Sequence, residues 1–244
     1  MHFSRTQWLC ASLSLLVFVA LALGEAGLWP LGAFDRAITD AVPALRTETL
    51  NLLMLAITGL GDSRFLIFVA SVTVLALLAA KAWREALLFG AAFALMPVIV
   101  KLLKMTIARP RPTVDLYGGV ESFSFPSGHA TNSALIYGAL ALLALAVFRK
   151  LPGLLLAAAF ALLAVMIAVS RIYLGAHWPS DTLAGLGLAG LMLTLMSVIQ
   201  DELRLPDAAK FVPFVLILLT AAFPLYLLIA LPEARELYTA LHAE

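Results

Sequence analysis

The stretch SRIYLGAHWPSD, Ser170 to Asp181, separates two apolar runs, LLLAAAFALLAVMIAV (154–169) and TLAGLGLAGLMLTLMSVI (182–199), neither of which holds a charged residue. Each run approaches the roughly 20 helical residues that cross a hydrocarbon core. Every backbone N–H and C=O must be satisfied within lipid, so unbroken apolar runs of this length read as membrane helices. The stretch between them is then a turn at a membrane surface, and it carries an arginine, a histidine and an aspartate.

Working outward, the rest of the chain has the same character: 63% of its residues are hydrophobic and 13% charged, far from a soluble globular composition. Seven spans are expected, at about Trp8–Trp29, Phe65–Ala80, Glu85–Leu103, His129–Phe148, Leu154–Val169, Leu183–Ile199 and Phe211–Leu231. The expected fold is an all-α, multi-pass transmembrane bundle forming one integral membrane domain over residues 1–244. Its core covers about 50–200, with an additional C-terminal span at about 211–231. The first run follows Arg5, and Ala20 and Ala22 resemble a signal-cleavage site; because further spans follow, it reads as a retained helix. Cys10, the one cysteine, is expected to pack inside that helix, and it excludes an internal disulfide or a cysteine metal cluster. A net charge of +1 offers no basic arm, so no nucleic-acid partner is expected.

The polar interval Pro30–Arg64 is extramembrane, and its later part, TLNLLMLAITGLGD, reads as a helix at the interface or packed on the bundle. Lys81 and Arg84 in one short loop, and Arg149 and Lys150 in another, place those loops in the cytoplasm. The loops after the third and fifth spans then face outward, where Lys101, Lys104, Arg109, Arg111 and Arg171 run against the positive-inside tendency. Small residues at Gly185, Gly187, Ala189 and Gly190 predict close helix approach along the sixth span.

Three clusters reach that outward face: KMTIARPRP (104–112), FPSGHA (125–130) and the opening stretch. Phosphoryl transfer needs cations and backbone N–H groups on the non-transferring oxygens, an in-line nucleophile and an acid for the leaving group. Lys104, Arg111 and Arg171 supply the cations, and the arginine fork suits phosphate. Ser127 adds a hydroxyl, and Gly128, without a side chain, opens a helix whose N-terminus favours an anion. His177 and Asp181 stand four apart, so one helical turn lets the carboxylate hold the far nitrogen of the imidazole and leaves the near one to attack. His177 is therefore the candidate nucleophile, Asp181 its orienting partner and His129 the general acid. The cations already neutralise the phosphoryl charge, so neither a metal nor another cofactor is expected.

These clusters resemble the three signatures of the type 2 phosphatidic acid phosphatase superfamily, K-x6-R-P, P-S-G-H and S-R-x5-H-x3-D. Lys104, Arg111 and Pro112 fit the first, Pro126 to His129 the second, and Ser170, Arg171, His177 and Asp181 the third. The resemblance spans about Leu50–Ile199 and adds Ser170 to the phosphate-binding set. It implies a metal-independent phosphatase of lipid phosphates that works through a phosphohistidine. The partners expected are a lipid phosphate substrate and the membrane lipids, and the place is a bacterial-type cell (inner) membrane with the site on its outer face. Undecaprenyl diphosphate is the favoured substrate, ahead of phosphatidylglycerophosphate or phosphatidate, with lipid A less favoured.

Plainer readings compete at several positions. Lys101 and Arg109 fall off the family spacing and read as interfacial anchors. Ser170 could bond its own backbone, Tyr173 and Trp178 suit an aromatic belt, and His2 and His242 are ordinary polar residues near the termini. Pro97 and Pro224 are expected to bend their spans. Asp115, Tyr117 and Glu121 are candidates for substrate selectivity. Intramembrane charges also suit a transporter, and the anion cradle suits a vanadate haloperoxidase, although those relatives are soluble.

Overall fold

Local capping chemistry sets where the helices begin. Ser4 and Gln7 form a reciprocal capping box at the start of α1 (Arg5–Glu25). After α2 (Leu31–Thr39) and a short 3-10 turn at Pro43–Leu45, Thr47 caps α3 (Glu48–Gly59) by accepting from the Leu50 N–H at 3.2 Å. Asp62 caps α4 (Ser63–Ala79) by accepting from the Arg64 N–H at 2.8 Å. α5 (Trp83–Ile107) ends where Ala108 turns left-handed at φ 51° and donates its N–H to the Lys104 carbonyl. α6 (Gly128–Val147), α7 (Leu151–Tyr173), α8 (Pro179–Asp201) and α9 (Val212–Leu237) complete the chain. This computed structural model describes residues 3–112, 122–148, 151–201 and 212–237. Among them every named element is a helix.

α1, α5, α6, α7 and α8 are each long and apolar enough to cross a membrane, and α3 with α4, bent by 43°, makes a sixth crossing if taken as one span. α9 occupies the stretch expected as the seventh. Apolar side chains face outward along these helices: Leu13 and Leu16 on α1, Leu87 on α5 and Leu162 on α7 are all exposed, Leu87 by 74%. That surface has its natural solvent in lipid rather than water. The fold is therefore the expected membrane bundle, and α3 is the expected helix packed on it, against α7 and α9.

α6 lies at the centre, against α7 and α8, with Leu135, Tyr137, Ala139 and Leu140 in a core that includes Phe65, Val69, Phe89, Met96 and Ile167. The Tyr137 hydroxyl donates to the Leu60 carbonyl at 2.8 Å, tying α6 to the bend before α4. The small residues of α8 meet close neighbours: a Cβ on Gly185 would lie 2.6 Å from Thr131 Oγ1 of α6, and one on Gly190 2.6 Å from Ser14 Oγ of α1. The helices thus approach as the sequence pattern predicts. α5 runs unbroken through Pro97, and α9 through Pro224.

Three expectations change. Cys10 is exposed on α1 rather than packed, because α1 buries its other side against α8. Tyr173 is buried and donates to Asn51 Oδ1 at 2.6 Å, so it anchors α7 to α3 instead of sitting in a belt. Arg109 is 9% exposed and enclosed by acidic residues, so it is no interfacial anchor. Exposed Lys101 keeps that reading.

Candidate active site

The helices extend beyond their apolar runs and carry the polar residues inward. Lys104 lies in the last turn of α5, 2% exposed, and its Nζ donates to the Phe123 carbonyl at 2.6 Å. The left-handed Ala108 turns the chain back so that Arg111, also buried, reaches the turn between α7 and α8. Its Nη1 donates to the Ala176 carbonyl and lies 3.0 Å from His177 Nε2. Arg171, in the last turn of α7, donates from Nη1 to Thr58 Oγ1 of α3 at 2.8 Å.

The turn after α7 works through Gly175, whose φ of 68° suits glycine. The N–H groups of Ala176 and His177 both donate to the Arg171 carbonyl, at 3.0 and 3.2 Å, and this folds His177 back over the end of the helix. Asp181 follows in the first turn of α8, fully buried. Ser127 caps α6, its Oγ accepting from the Ala130 N–H at 3.4 Å while its own N–H donates to the Asp181 carbonyl at 3.1 Å. A Cβ on Gly128 would meet Val100 Cγ1 at 3.7 Å, so glycine keeps that side of the helix N-terminus open.

His177 and Arg111 define a proton position. An arginine always donates, so Nε2 of His177 faces it as the acceptor and the ring proton is assigned to Nδ1. On that side Asp181 Oδ2 lies 3.5 Å away and Ser124 Oγ 3.4 Å, both longer than a well-formed hydrogen bond. Ser124, which sequence reasoning missed, donates to Asp181 Oδ2, and the Trp178 N–H donates to the same oxygen at 2.9 Å. Burial holds His177 well below the ordinary histidine range, and the positive charges of Arg111, Arg171 and Lys104 push it the same way. The imidazole therefore stays neutral.

His129 sits one residue inside α6, beside Gly61 and Ser133. With Arg171 it lines a cavity of about 180 Å³ that also reaches Leu55 and Thr58 of α3, Arg64 of α4 and Glu233 of α9. Arg64 and Glu233 form an exposed ion pair there, at 2.6 Å. Among the proposed phosphate ligands Ser170 fits least well: its hydroxyl donates to the Ile167 carbonyl at 2.7 Å, the backbone bond that competes with a phosphate role. Asp115, Tyr117 and Glu121 lie outside the described residues, as do His2, Arg149, Lys150 and His242.

Lys104 at the end of α5, Arg111 just beyond it, Arg171 at the end of α7 and the N-terminus of α6 thus gather around the His177 imidazole in the turn before α8. Such an arrangement accepts an anion and presents a nitrogen nucleophile to it. The sequence profile of the PAP2 superfamily matches residues 85–205, which contain all three clusters. Phosphatidylglycerophosphatase B of Bacillus subtilis (strain 168) is 32% identical over 176 residues, covering 70% of this chain and 85% of that protein. Lipid A 1-phosphatase of Rhizobium etli is 31% identical over 195 residues, covering 70% and 75%. The crystal structure of a transmembrane PAP2 type phosphatidylglycerolphosphate phosphatase from Bacillus subtilis superposes with a TM-score of 0.68 at 29% identity, covering 79% of this chain and 96% of that one. The chain belongs to the PAP2 superfamily, and it is a membrane-embedded phosphatase of the lipid-phosphate branch of that family.

Proposed function

We propose that this phosphatase hydrolyses a glycerophospholipid phosphate monoester of the phosphatidylglycerophosphate kind through a phosphohistidine on His177. The observation that carries the mechanism is the 3.0 Å approach of the buried His177 Nε2 to the guanidinium of Arg111, a donor that leaves this nitrogen its lone pair. An arriving phosphate takes Arg111 as its own ligand, which exposes the Nε2 lone pair to phosphorus. Lys104, Arg111, Arg171 and the N–H groups of Gly128 and His129 hold the non-transferring oxygens. Ser127 shapes that helix end. Ser170 remains a weaker ligand, since its hydroxyl must leave the Ile167 carbonyl to donate.

Nε2 attacks phosphorus, the bond from phosphorus to the lipid oxygen breaks, and His129, in the imidazolium form that the incoming dianion favours, gives that oxygen its proton. Asp181 orients the ring and stabilises the charge that develops on it. In the second half, His129 takes a proton from water, the hydroxide attacks the phosphohistidine, and inorganic phosphate leaves with His177 restored. The protein's cations neutralise the phosphoryl oxygens throughout, so no metal takes part.

The substrate order differs from the one favoured by sequence. Undecaprenyl diphosphate rested on an outward-facing site and a compact chain, whereas the relatives aligned over most of their length are named for phosphatidylglycerophosphate and lipid A. The cavity supports a headgroup with a polar branch: Leu55 and Leu231 line it together with Arg64, Asp62 and Glu233. We place the site on the outer face of a bacterial inner membrane, because Lys81 and Arg84 mark the opposite end of α4 and α5. The test is competition of purified protein among phosphatidylglycerophosphate, undecaprenyl diphosphate, phosphatidate and lipid A, in EDTA. Preference for the first supports the proposal; preference for undecaprenyl diphosphate restores the sequence-based order, and loss of activity in EDTA with recovery in magnesium contradicts the metal-free route. Phosphate release abolished in His177→Ala separates this enzyme from a transporter.

A further inference from the structure

Arg109 lies outside the family spacing, yet its guanidinium pairs with three carboxylates. Its Nη1 donates to Asp181 Oδ1 at 2.6 Å and to Ser180 Oγ at 2.7 Å. Its Nη2 donates to Asp35 Oδ2 at 2.6 Å, and its Nε lies 2.8 Å from Glu25 Oε2. The guanidinium also stands 5.4 Å from the centre of the Trp178 ring. Burial opposes this charge, but Asp181, Asp35 and Glu25 outweigh it and hold Arg109 protonated. Asp35, fully buried on α2, adds a second grip: it accepts from the Ser180 N–H at 2.9 Å and from the Ser180 hydroxyl at 2.6 Å, at the start of α8.

The two oxygens of Asp181 are thereby divided. Oδ1 belongs to Arg109, while Oδ2 accepts from Ser124 and Trp178 and faces Nδ1 of His177. Without the guanidinium, Asp181 would share a water-excluded space with Asp35 and Glu25, and one of three neighbouring carboxyl groups would take up a proton. A protonated or rotated Asp181 no longer stabilises a charged His177. Resting on the phosphohistidine reading above, we propose that Arg109 is a positioning residue for His177, acting through Asp181. Asp35 and Glu25 hold Arg109 in turn, and they come from α2 and α1, which lie outside the matched family region. The N-terminal helices thus complete the site instead of serving only as an anchor.

Full-chain Arg109→Gln, Arg109→Lys, Asp35→Asn and Glu25→Gln would be purified beside His177→Ala. Turnover of phosphatidylglycerophosphate, inhibition by inorganic phosphate and thermal unfolding would be followed for each. Arg109→Gln is expected to lower kcat about 100-fold, the loss that follows a small misplacement of a reacting group. KM and inhibition by inorganic phosphate should stay within about threefold, because the phosphate ligands are untouched. Arg109→Lys should recover part of kcat, and Asp35→Asn should lower kcat at temperatures where unfolding curves show it native. If Arg109→Gln does not fold, Arg109→Lys and Asp35→Asn decide. Wild-type kcat in both, or a kcat loss matched by an equal loss of inorganic-phosphate binding, overturns the inference. Undiminished turnover in His177→Ala would instead remove the mechanism on which it rests.

Discussion

Replacing Arg171 by alanine removes one cation from the phosphate cradle and leaves the rest of the machinery in place. The guanidinium is 2% exposed, donates to Thr58 Oγ1 at 2.8 Å, and lines the cavity beside His129. Solvent screening is therefore slight. At a separation of about 4 Å and an effective dielectric near 20, a unit charge pair is worth about 4 kcal/mol. That corresponds to about a thousandfold in rate if the interaction is realised in the transition state, and it agrees with losses of about 10²–10³ for removal of a single oxyanion donor. Arg171→Ala should thus lower kcat/KM by about 10²–10³-fold in detergent micelles. Arg171→Lys should lose less, since it keeps the charge and forfeits the fork. Thr58→Val, which removes only the hydroxyl that steadies the guanidinium, should cost about tenfold, in line with about 1.5 kcal/mol for a hydrogen bond to a charged group. Unfolding temperatures separate catalytic loss from collapse. An Arg171→Ala enzyme that is folded and within threefold of wild type would refute the assignment of Arg171 to the phosphate.

Other outcomes follow from named contacts. Burial first, then Arg111, Arg171 and Lys104, depress His177, and its protonated form cannot attack; the acid limb of kcat/KM assigned to it should lie below the ordinary histidine value, and a limb at or above that value would contradict this. Gly185→Ala would place a Cβ 2.6 Å from Thr131 Oγ1 and 3.1 Å from Ser127 O, so it should destabilise the bundle by about 1–3 kcal/mol, whereas Gly90→Ala meets Val74 at 3.7 Å and should be nearly neutral by thermal unfolding. Arg64→Ala, which opens the exposed pair with Glu233, should leave stability nearly unchanged but alter KM for lipid substrates more than for a short soluble phosphate monoester; equal effects on both would deny the cavity a role in the headgroup.

The bundle was legible because lipid enforces unbroken apolar runs, and Lys104, Arg111, His129, Arg171, His177 and Asp181 stood out as candidates because they sit at fixed spacings at or beside helix ends. The supporting groups were not. Arg109 reads in sequence as a surface cation, since nothing local shows that Glu25 and Asp35, more than 70 positions earlier, will enclose it. Ser124 lies in the loop before α6, far in sequence from the Asp181 it donates to, and carries no periodic signal, and Thr58 lies on a helix whose sequence gives packing cues alone. Tyr173 shows the same limit: its belt-like position says nothing of the Asn51 side chain waiting on α3. Long-range polar pairs depend on how helices stack, and apolar periodicity does not encode that.

A covalent phosphohistidine on His177 can be caught by rapid-quench trapping. Substrate labelled in its terminal phosphate would be mixed with excess enzyme and quenched in alkali within the first turnover, and the labelled peptide located by mass spectrometry. Phosphate should appear on His177, formed no slower than product and absent from His177→Ala, which should also release no phosphate. Product formation with no label on His177, or steady turnover in His177→Ala, would contradict the covalent intermediate.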